Sequence, residues 1–289
     1  MPKPSFFIVG AAKCGTTALC RYLSCHPEIY LPPLKELHYF DTDLKTSKPA
    51  NSLADYLAFF AEGEAKLCGE GTPTYLYSEV AAQGIYEFEP AAKIIIMLRD
   101  PVSMMYSYHS QLLFNGSSET VPDFKTALDL ETERKQGRHI PDRCRDPKVL
   151  FYRDKATFSV QIQRYLDIFS REQIHFILFE DFSRNISPIF RETLTFLGVN
   201  PDFTTEFNPV NSNKKVRSSF LQTLLKYPPA KVLALGKYLL PLPQSLRRSL
   251  LARVKTDSNS SILNLPPVLP WSQPYAISSY RNLSRKLCV

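Results

Sequence analysis

The sequence has no long apolar run. No stretch approaches the roughly 18 uninterrupted apolar residues that a membrane-spanning helix needs. The best candidate, from Val232 to Leu242, is interrupted by Gly236, Lys237 and Pro241. The apolar run that begins at Phe6 is too short for a signal peptide. We therefore expect a cytoplasmic protein, and the alternative is a truncated Golgi-lumenal protein that lacks its targeting segment.

Signals for metal binding and for disulfides are also missing. Six cysteines are scattered over nearly the whole length, with no Cys-x-x-Cys pair and no histidine at the spacing of a zinc site. No cluster rich in Asp or His suggests another metal, so we expect reduced thiols and no bound metal. The composition, 44% hydrophobic and 22% charged, is typical of globular proteins and excludes disordered, collagen-like and coiled-coil chains.

The last part of the sequence has almost no acidic residues. Residues 207–289 contain one acid, Asp257, and 13 lysines and arginines, so the basic charge is segregated. We favour an ordered, basic helical cap on the domain, and the alternatives are peripheral contact with an anionic membrane or steering of an acidic ligand. Nucleic acid is disfavoured, because the interleaved aromatic residues of a nucleic-acid module do not accompany the charge.

Short apolar runs alternate with helical patterns. The runs at residues 5–9, 93–98 and 174–179 are apolar on both faces, which is typical of buried parallel strands. The helical patterns cover residues 17–25, 53–60, 102–113, 124–135, 158–169 and 188–197. Gly198 predicts the end of the last of these helices. The alternation predicts an α/β fold in one domain, with a central parallel sheet flanked by helices.

The strongest local signal follows the first strand. Gly10-Ala11-Ala12-Lys13-Cys14-Gly15-Thr16-Thr17 is a loop of small residues with one lysine, and it ends in two hydroxyls at a helix start. Backbone N–H groups at a helix N-terminus bind anions, and lysine and threonine add charge and hydrogen bonds. The loop is not a Walker A motif, because Thr16 occupies the position at which that motif has lysine.

A second charged segment follows the strand at residues 93–98. Arg99-Asp100-Pro101 begins a helix, and Ser107 lies about two turns into it. Ligands of open α/β sheets bind at the carboxyl ends of strands, so Arg99 and Ser107 share one phosphate if the helix folds back beside the strand end. The alternative is a helix cap with a surface ion pair.

Together the two segments resemble the nucleotide-binding signatures of the sulfotransferases that use 3′-phosphoadenosine 5′-phosphosulfate (PAPS). The likeness is to the carbohydrate type, typified by heparan sulfate sulfotransferases, and to bacterial relatives. It extends over about residues 5–220 and implies a P-loop-like core there. The basic helical cap, predicted from the charge and the leucine-rich helical stretches, then covers about residues 221–289. The residues that it assigns to the 5′-phosphosulfate are Lys13, Cys14, Gly15, Thr16 and Thr17. It assigns Arg99 and Ser107 to the 3′-phosphate.

Further nucleotide contacts follow from the same resemblance. Asn211 to Ser218 is similar to a late basic loop that closes over the 3′-phosphate in the family, which makes Lys215 and Arg217 candidate ligands. Phe158 lies at a family aromatic position, although packing in the core is an equally open interpretation.

The stretch from Lys35 to Asp41 contains the candidate catalytic base. It resembles the Lys-Glu-x-His-x-Phe segment of carbohydrate sulfotransferases, in which the residue matching Glu36 is the base. His38 is the fallback, and a structural histidine and a surface Lys35–Glu36 ion pair are the alternatives. Lys13 would stabilise charge on the leaving phosphate.

The acceptor is left open. Gly71, Thr17 and Tyr108 replace charged residues of the heparan 3-O branch, which puts that acceptor in doubt. The predicted function is transfer of the sulfuryl group from PAPS to a hydroxyl of a glycan, lipid or small natural product. The alternatives are a nucleotide or small-molecule kinase, or a non-catalytic nucleotide-binding protein. The displaced Lys13 and the lack of a clear magnesium carboxylate beyond Asp100 disfavour the kinase.

Overall fold

The computed structural model describes residues 2–116 and 118–208. Their strands form a five-stranded parallel sheet in the order β2-β3-β1-β4-β5. The strands are β1 (Phe6–Gly10), β2 (Ile29–Tyr30), β3 (Leu67–Gly71), β4 (Lys93–Leu98) and β5 (Ile174–Leu178). The predicted α/β fold with a central parallel sheet is confirmed, and so are the three predicted strands, which are β1, β4 and β5.

β1 lies at the centre of the sheet. It pairs with β3 on one side, where Phe6 aligns with Gly69, and with β4 on the other, where Ile8 aligns with Ile95. A Cβ placed on Gly69 would lie 2.0 Å from the Phe6 ring, so only glycine fits beside that ring. All five residues of β1 are buried, which accounts for its continuous apolar sequence.

Helices cover the sheet and connect its strands. They are α1 (Thr16–Leu23), α2 (Leu53–Ala58), α3 (Ala81–Phe88), α4 (Pro101–Asn115), α5 (Phe124–Asp129), α6 (Glu131–Lys135), α7 (Tyr152–Lys155), α8 (Phe158–Leu166), α9 (Phe179–Arg184) and α10 (Ile186–Leu197). Short 3₁₀ segments lie at Ala61–Gly63, Pro147–Leu150 and Arg171–Gln173. The predicted helix end is confirmed, because Gly198 caps α10 in the left-handed conformation.

The segment predicted as one helix from Phe124 to Lys135 is two helices. Leu130 ends α5 and precedes α6, and the chain turns there. Arg134 on α6 is buried, and its guanidinium donates two hydrogen bonds of 2.7 and 2.8 Å to the buried carboxylate of Glu119. Tyr152 at the start of α7 donates to the same carboxylate at 2.6 Å. This buried group holds α7 next to α6 and fixes the position of the residues that follow Tyr152.

The predicted cap over 221–289 lies outside the described residues, as do Lys215 and Arg217. None of the helices formed by residues 2–116 and 118–208 combines the length and the apolar character needed to cross a bilayer.

Candidate active site

The loop after β1 has the backbone shape of an anion cradle. Lys13 and Gly15 have left-handed conformations, with φ of 65° and 94°. Gly15 precedes α1 and provides no side-chain cap, so the first N–H groups of α1 are left for a ligand or water. A Cβ on Gly15 would lie 3.0 Å from the Phe179 ring, so both the conformation and the space favour glycine.

Two cations meet at this loop. The Arg99 guanidinium, just past β4, donates to the Lys13 carbonyl oxygen at 3.3 Å and stacks 4.6 Å from the centre of the Phe179 ring. The Lys13 ammonium lies 3.4 Å from the amide oxygen of Gln111 on α4. Burial and the Arg99 charge both lower the pKa of Lys13. The fold therefore brings the two predicted cations, Lys13 and Arg99, together. An anion bound between them would relieve their repulsion.

Lys35 is a third cation at the same place. Its ammonium donates to the hydroxyl of Thr17 at 2.9 Å and to that of Thr16 at 3.3 Å. It also lies 3.9 Å from a carboxylate oxygen of Glu36. The sequence suggested Lys35 only as an ion-pair partner of Glu36. Its contact with the anion loop was not predicted, because Thr17 and Thr16 precede Lys35 by 18 and 19 positions.

Glu36 and His38 lie on a loop with unusual backbone geometry. Both have positive φ, 64° and 52°, and the Glu36 side chain is 47% exposed. The His38 Nδ1 lies 2.8 Å from the Asp41 carboxylate, and its Nε2 lies 4.0 Å from Glu36. Because a carboxylate accepts hydrogen bonds, Nδ1 carries the proton and Nε2 faces Glu36. The two candidate bases are thus neighbours.

Buried groups support this loop from below. The fully buried Asp41 carboxylate accepts a hydrogen bond of 2.6 Å from the Thr74 hydroxyl. The Tyr75 hydroxyl accepts from the backbone N–H of Tyr39 at 2.9 Å and donates to the buried Glu70 carboxylate at 2.8 Å. Asp41, Thr74 and Tyr75 were not predicted as site residues, although Asp41 ends the stretch that begins at Lys35.

The Glu70 carboxylate is the centre of this support. Besides Tyr75, it accepts from the Thr72 hydroxyl at 2.6 Å and from the hydroxyl of Tyr56. Burial raises the pKa of Glu70, and the three hydroxyl donors lower it in part. Because Glu70 lies on β3, the base-bearing loop is tied to the central sheet.

The other predicted site residues lie at different depths. Cys14 is fully buried, its thiol contacts the Ala12 carbonyl oxygen, and burial raises its pKa. Ser107 is 6% exposed on α4, and no hydrogen bond joins it to Arg99 in the described part of the chain. Phe158 is 3% exposed and packs in the main core. The nucleotide contacts of Ser107 and Phe158 stay predictions, as do those of Lys215 and Arg217. Within residues 2–116 and 118–208, no group of three or more His, Cys, Asp or Glu side chains is arranged to hold a metal ion.

Comparisons with known proteins agree with this geometry. The family described as sulfotransferase domain matches residues 3–223. The crystal structure of a sulfotransferase from Alicyclobacillus acidocaldarius is 32% identical, with a TM-score of 0.65, and the match covers 86% of this chain and 100% of that one.

Curated relatives match at lower identity. The membrane-associated sulfotransferase kil1 of Dictyostelium discoideum is 26% identical over 72% of this chain and 59% of its own length. Carbohydrate sulfotransferase 15 of Mus musculus is 25% identical over 68% of this chain and 44% of its own length. The chain thus spans about half the length of the curated relatives it matches.

Proposed function

Because the chain belongs to the sulfotransferase domain family, we propose that it transfers the sulfuryl group of PAPS to an acceptor hydroxyl. The observation that carries the proposal is the position of Lys35. Its ammonium touches the Thr17 hydroxyl of the anion loop and lies 3.9 Å from Glu36, so one side chain connects the anion site with the candidate base. A protein that only binds a nucleotide has no need of a base at this place.

The donor groups at the loop fit a ligand with several anionic oxygens. Lys13, Lys35 and Arg99 supply positive charge, Thr16 and Thr17 supply hydroxyls, and the start of α1 supplies backbone N–H groups. PAPS carries such oxygens on its phosphosulfate and on its 3′-phosphate, and it supplies the sulfuryl group. We assign Lys13, Cys14, Gly15, Thr16 and Thr17 to the phosphosulfate and Arg99, Ser107, Lys215 and Arg217 to the 3′-phosphate, with Phe158 as a further contact.

Glu36 is the proposed general base. Its half-exposed carboxylate is open to an acceptor hydroxyl that arrives from solvent, and it takes the proton as the new oxygen–sulfur bond forms. Lys13 and Lys35 stabilise the charge that grows on the leaving phosphate as its bond to sulfur breaks. His38 is the neighbouring alternative, because its Nε2 points to the same place.

Kinase activity is the alternative function to be tested. Asp100, the carboxylate considered for magnesium, accepts a hydrogen bond of 2.8 Å from the Ser103 backbone N–H and so caps α4. We would incubate the protein with PAPS labelled in sulfur or with ATP labelled in its γ-phosphate, together with a panel of carbohydrate, lipid and phenolic acceptors. Label transfer from PAPS, with release of adenosine 3′,5′-bisphosphate and with loss of activity in Glu36→Gln, is expected. Transfer from ATP alone would contradict the proposal.

The acceptor class and the cellular location belong to the same proposal. A relative named carbohydrate sulfotransferase supports placing carbohydrates first in the acceptor panel. The cytoplasmic location stays a prediction, which fractionation of expressing cells tests, and peripheral membrane contact of residues 207–289 is the competing outcome of that test.

A further inference from the structure

A pocket lies beside the anion loop and is not used by the proposed chemistry. Four parts of the chain line it, and the lining includes Ala12, Thr74, Tyr77, Tyr108, Lys155 and Gln161. Ala12 precedes Lys13 directly, and the Thr74 hydroxyl lies 3.2 Å from the His38 Nδ1. The pocket therefore borders both the anion loop and the base-bearing loop.

Lys155 is the charged side chain of this pocket. Its ammonium lies 3.6 Å from the centre of the Tyr77 ring and 5.5 Å from that of Tyr108. Such ring faces attract a cation, but they do not neutralise its charge. In the described part of the chain Lys155 forms no ion pair with a carboxylate, because the nearby Asp146 and Asp154 are engaged elsewhere, Asp146 by backbone N–H groups and Asp154 by Lys135.

The position of Lys155 is fixed by its surroundings. It is the last residue of α7, whose first residue, Tyr152, is held by the buried Glu119. The Gln161 amide donates to the carbonyl oxygens of Asp154 and Lys155, at 2.9 and 3.2 Å, and so anchors the end of the helix. These hydrogen bonds fix the backbone of Lys155 at the edge of the pocket, and the two tyrosine rings contact its ammonium there.

We propose that the Lys155–Tyr77–Tyr108 pocket is an acceptor subsite, which binds a carboxylate or sulfate group carried by the acceptor while the reacting hydroxyl lies at Glu36. The proposal rests on the proposed function. A partly desolvated ammonium without a carboxylate partner gains most from an anionic ligand, since the charge-assisted hydrogen bond is stronger away from bulk water. The rings of Tyr77 and Tyr108 line the pocket beside the ammonium and restrict its access to water. Burial, the largest effect, lowers the pKa of Lys155 to about 7, although Asp146 and Asp154 act to raise it.

The first test measures binding at Lys155 itself. Lysines of the whole protein are dimethylated with an isotope-labelled reagent, which keeps their charge, and the Lys155 resonance is identified by its loss in Lys155→Met. The protein, with and without saturating adenosine 3′,5′-bisphosphate, is titrated with para-hydroxymethylbenzoate, with the methyl ester of that compound, or with inorganic sulfate. A saturable shift with the benzoate or the sulfate, and none with the neutral ester, is expected. A benzoate shift alone would identify a carboxylate site, and a sulfate shift alone a sulfate site.

The second test compares variants by equilibrium dialysis with labelled para-hydroxymethylbenzoate. Lys155→Met keeps the length of the side chain and removes its charge, and it should weaken binding by at least about 10-fold. The control is Lys66→Met, which removes a positive charge from an exposed residue that does not line the pocket, and it should leave binding unchanged. Absence of any anion-dependent shift at Lys155, or equal binding by Lys155→Met and wild type, would overturn the proposal. These readings do not depend on turnover, so failure of the sulfotransferase assay is a separate result.

Discussion

The Tyr75 hydroxyl accepts a hydrogen bond of 2.9 Å from the backbone N–H of Tyr39. Tyr39 lies between His38 and Phe40 on the loop that carries the candidate bases. This hydrogen bond, together with those from Phe40 to Tyr75 and from Thr74 to Asp41, ties that loop to the turn after β3. The same hydroxyl donates to Glu70. Two residues of the loop have positive φ, a conformation that the surrounding contacts must hold. We therefore expect the hydrogen bond between Tyr39 and Tyr75 to help to position Glu36.

We expect Tyr75→Phe to lower kcat about three- to tenfold, because the loop loses a hydrogen bond worth about 1 kcal/mol while the ring still fills its space. The affinity for adenosine 3′,5′-bisphosphate should not change. Tyr56→Phe is the matched control, since it removes another hydroxyl from Glu70 but keeps the ring that stacks on Tyr39 and leaves the hydrogen bond from Tyr39 to Tyr75 in place. Steady-state kinetics and calorimetry measure both. Equal losses in the two variants would mean that Tyr75 acts only through the stability of the Glu70 group.

Glu36→Gln should lower turnover by about 10²- to 10⁴-fold, because the amide keeps the size of the side chain but cannot take a proton. Nucleotide affinity should stay near that of the wild type. Glu64→Gln, a change at an exposed position, serves as the control. An active Glu36→Gln together with an inactive His38→Ala would instead assign the role of base to His38.

Lys13→Ala should reduce turnover by about 10²-fold or more, the scale for the loss of one group that stabilises charge in the transition state. The comparison is Lys66→Ala, which removes an exposed lysine outside the site. Single-turnover rates with saturating PAPS separate this effect from weaker binding. A near-normal rate in Lys13→Ala would remove Lys13 from the mechanism.

Arg99→Ala should weaken binding of adenosine 3′,5′-bisphosphate about 10- to 150-fold, as expected for a charged hydrogen bond of roughly 1.5 to 3 kcal/mol. Affinity for the 5′-monophosphate should fall much less if Arg99 binds the 3′-phosphate. Arg21→Ala, on the exposed face of α1, is the control. Calorimetry measures both affinities. Equal affinity of the wild type for the two nucleotides would refute the assignment of Arg99 to the 3′-phosphate.

Lys155→Met should stabilise the protein most at low pH. Burial lowers the pKa of Lys155 in the folded chain from 10.5 to about 7, with Asp146 and Asp154 opposing the shift and Lys148 adding to it. Between these pKa values the unfolded chain binds a proton that the folded chain lacks, so stability of the wild type rises with pH there. The difference in melting temperature between Lys155→Met and the wild type should shrink from about pH 6 to about pH 10. A difference that is constant with pH would show that Lys155 is charged throughout this range.

Much of the fold was predictable because the buried strands are continuous apolar runs. β1, β4 and β5 have this character, and the loop at Lys13 contains small residues, a lysine and hydroxyls in one segment. β3 was missed because Leu67–Gly71 contains two glycines and the buried Glu70 in place of branched apolar residues. β2 was missed because it has only two residues.

The sequence predicted those site residues that are close to one another along the chain. Lys13, Thr16 and Thr17 are close in sequence, and the sequence therefore identifies them together. The contact of Lys35 with Thr17 and the support of Tyr39 by Tyr75 join residues that only the folded sheet brings together. No sequence motif marks Lys155 as a binding residue. Its environment is formed by Tyr77 and Tyr108, which precede it by 78 and 47 positions.

The central position of β1 also affects how the protein forms during synthesis. Both partners of this strand are made later, β3 ending at Gly71 and β4 at Leu98. At a ribosomal rate of about 5 to 20 residues per second, several seconds pass between the synthesis of Phe6–Gly10 and that of β4, its second strand partner. Contacts between segments so far apart in the chain form slowly, and an unpaired apolar strand is open to aggregation meanwhile. The strand that presents the anion loop is thus also a segment that a chaperone would protect during synthesis.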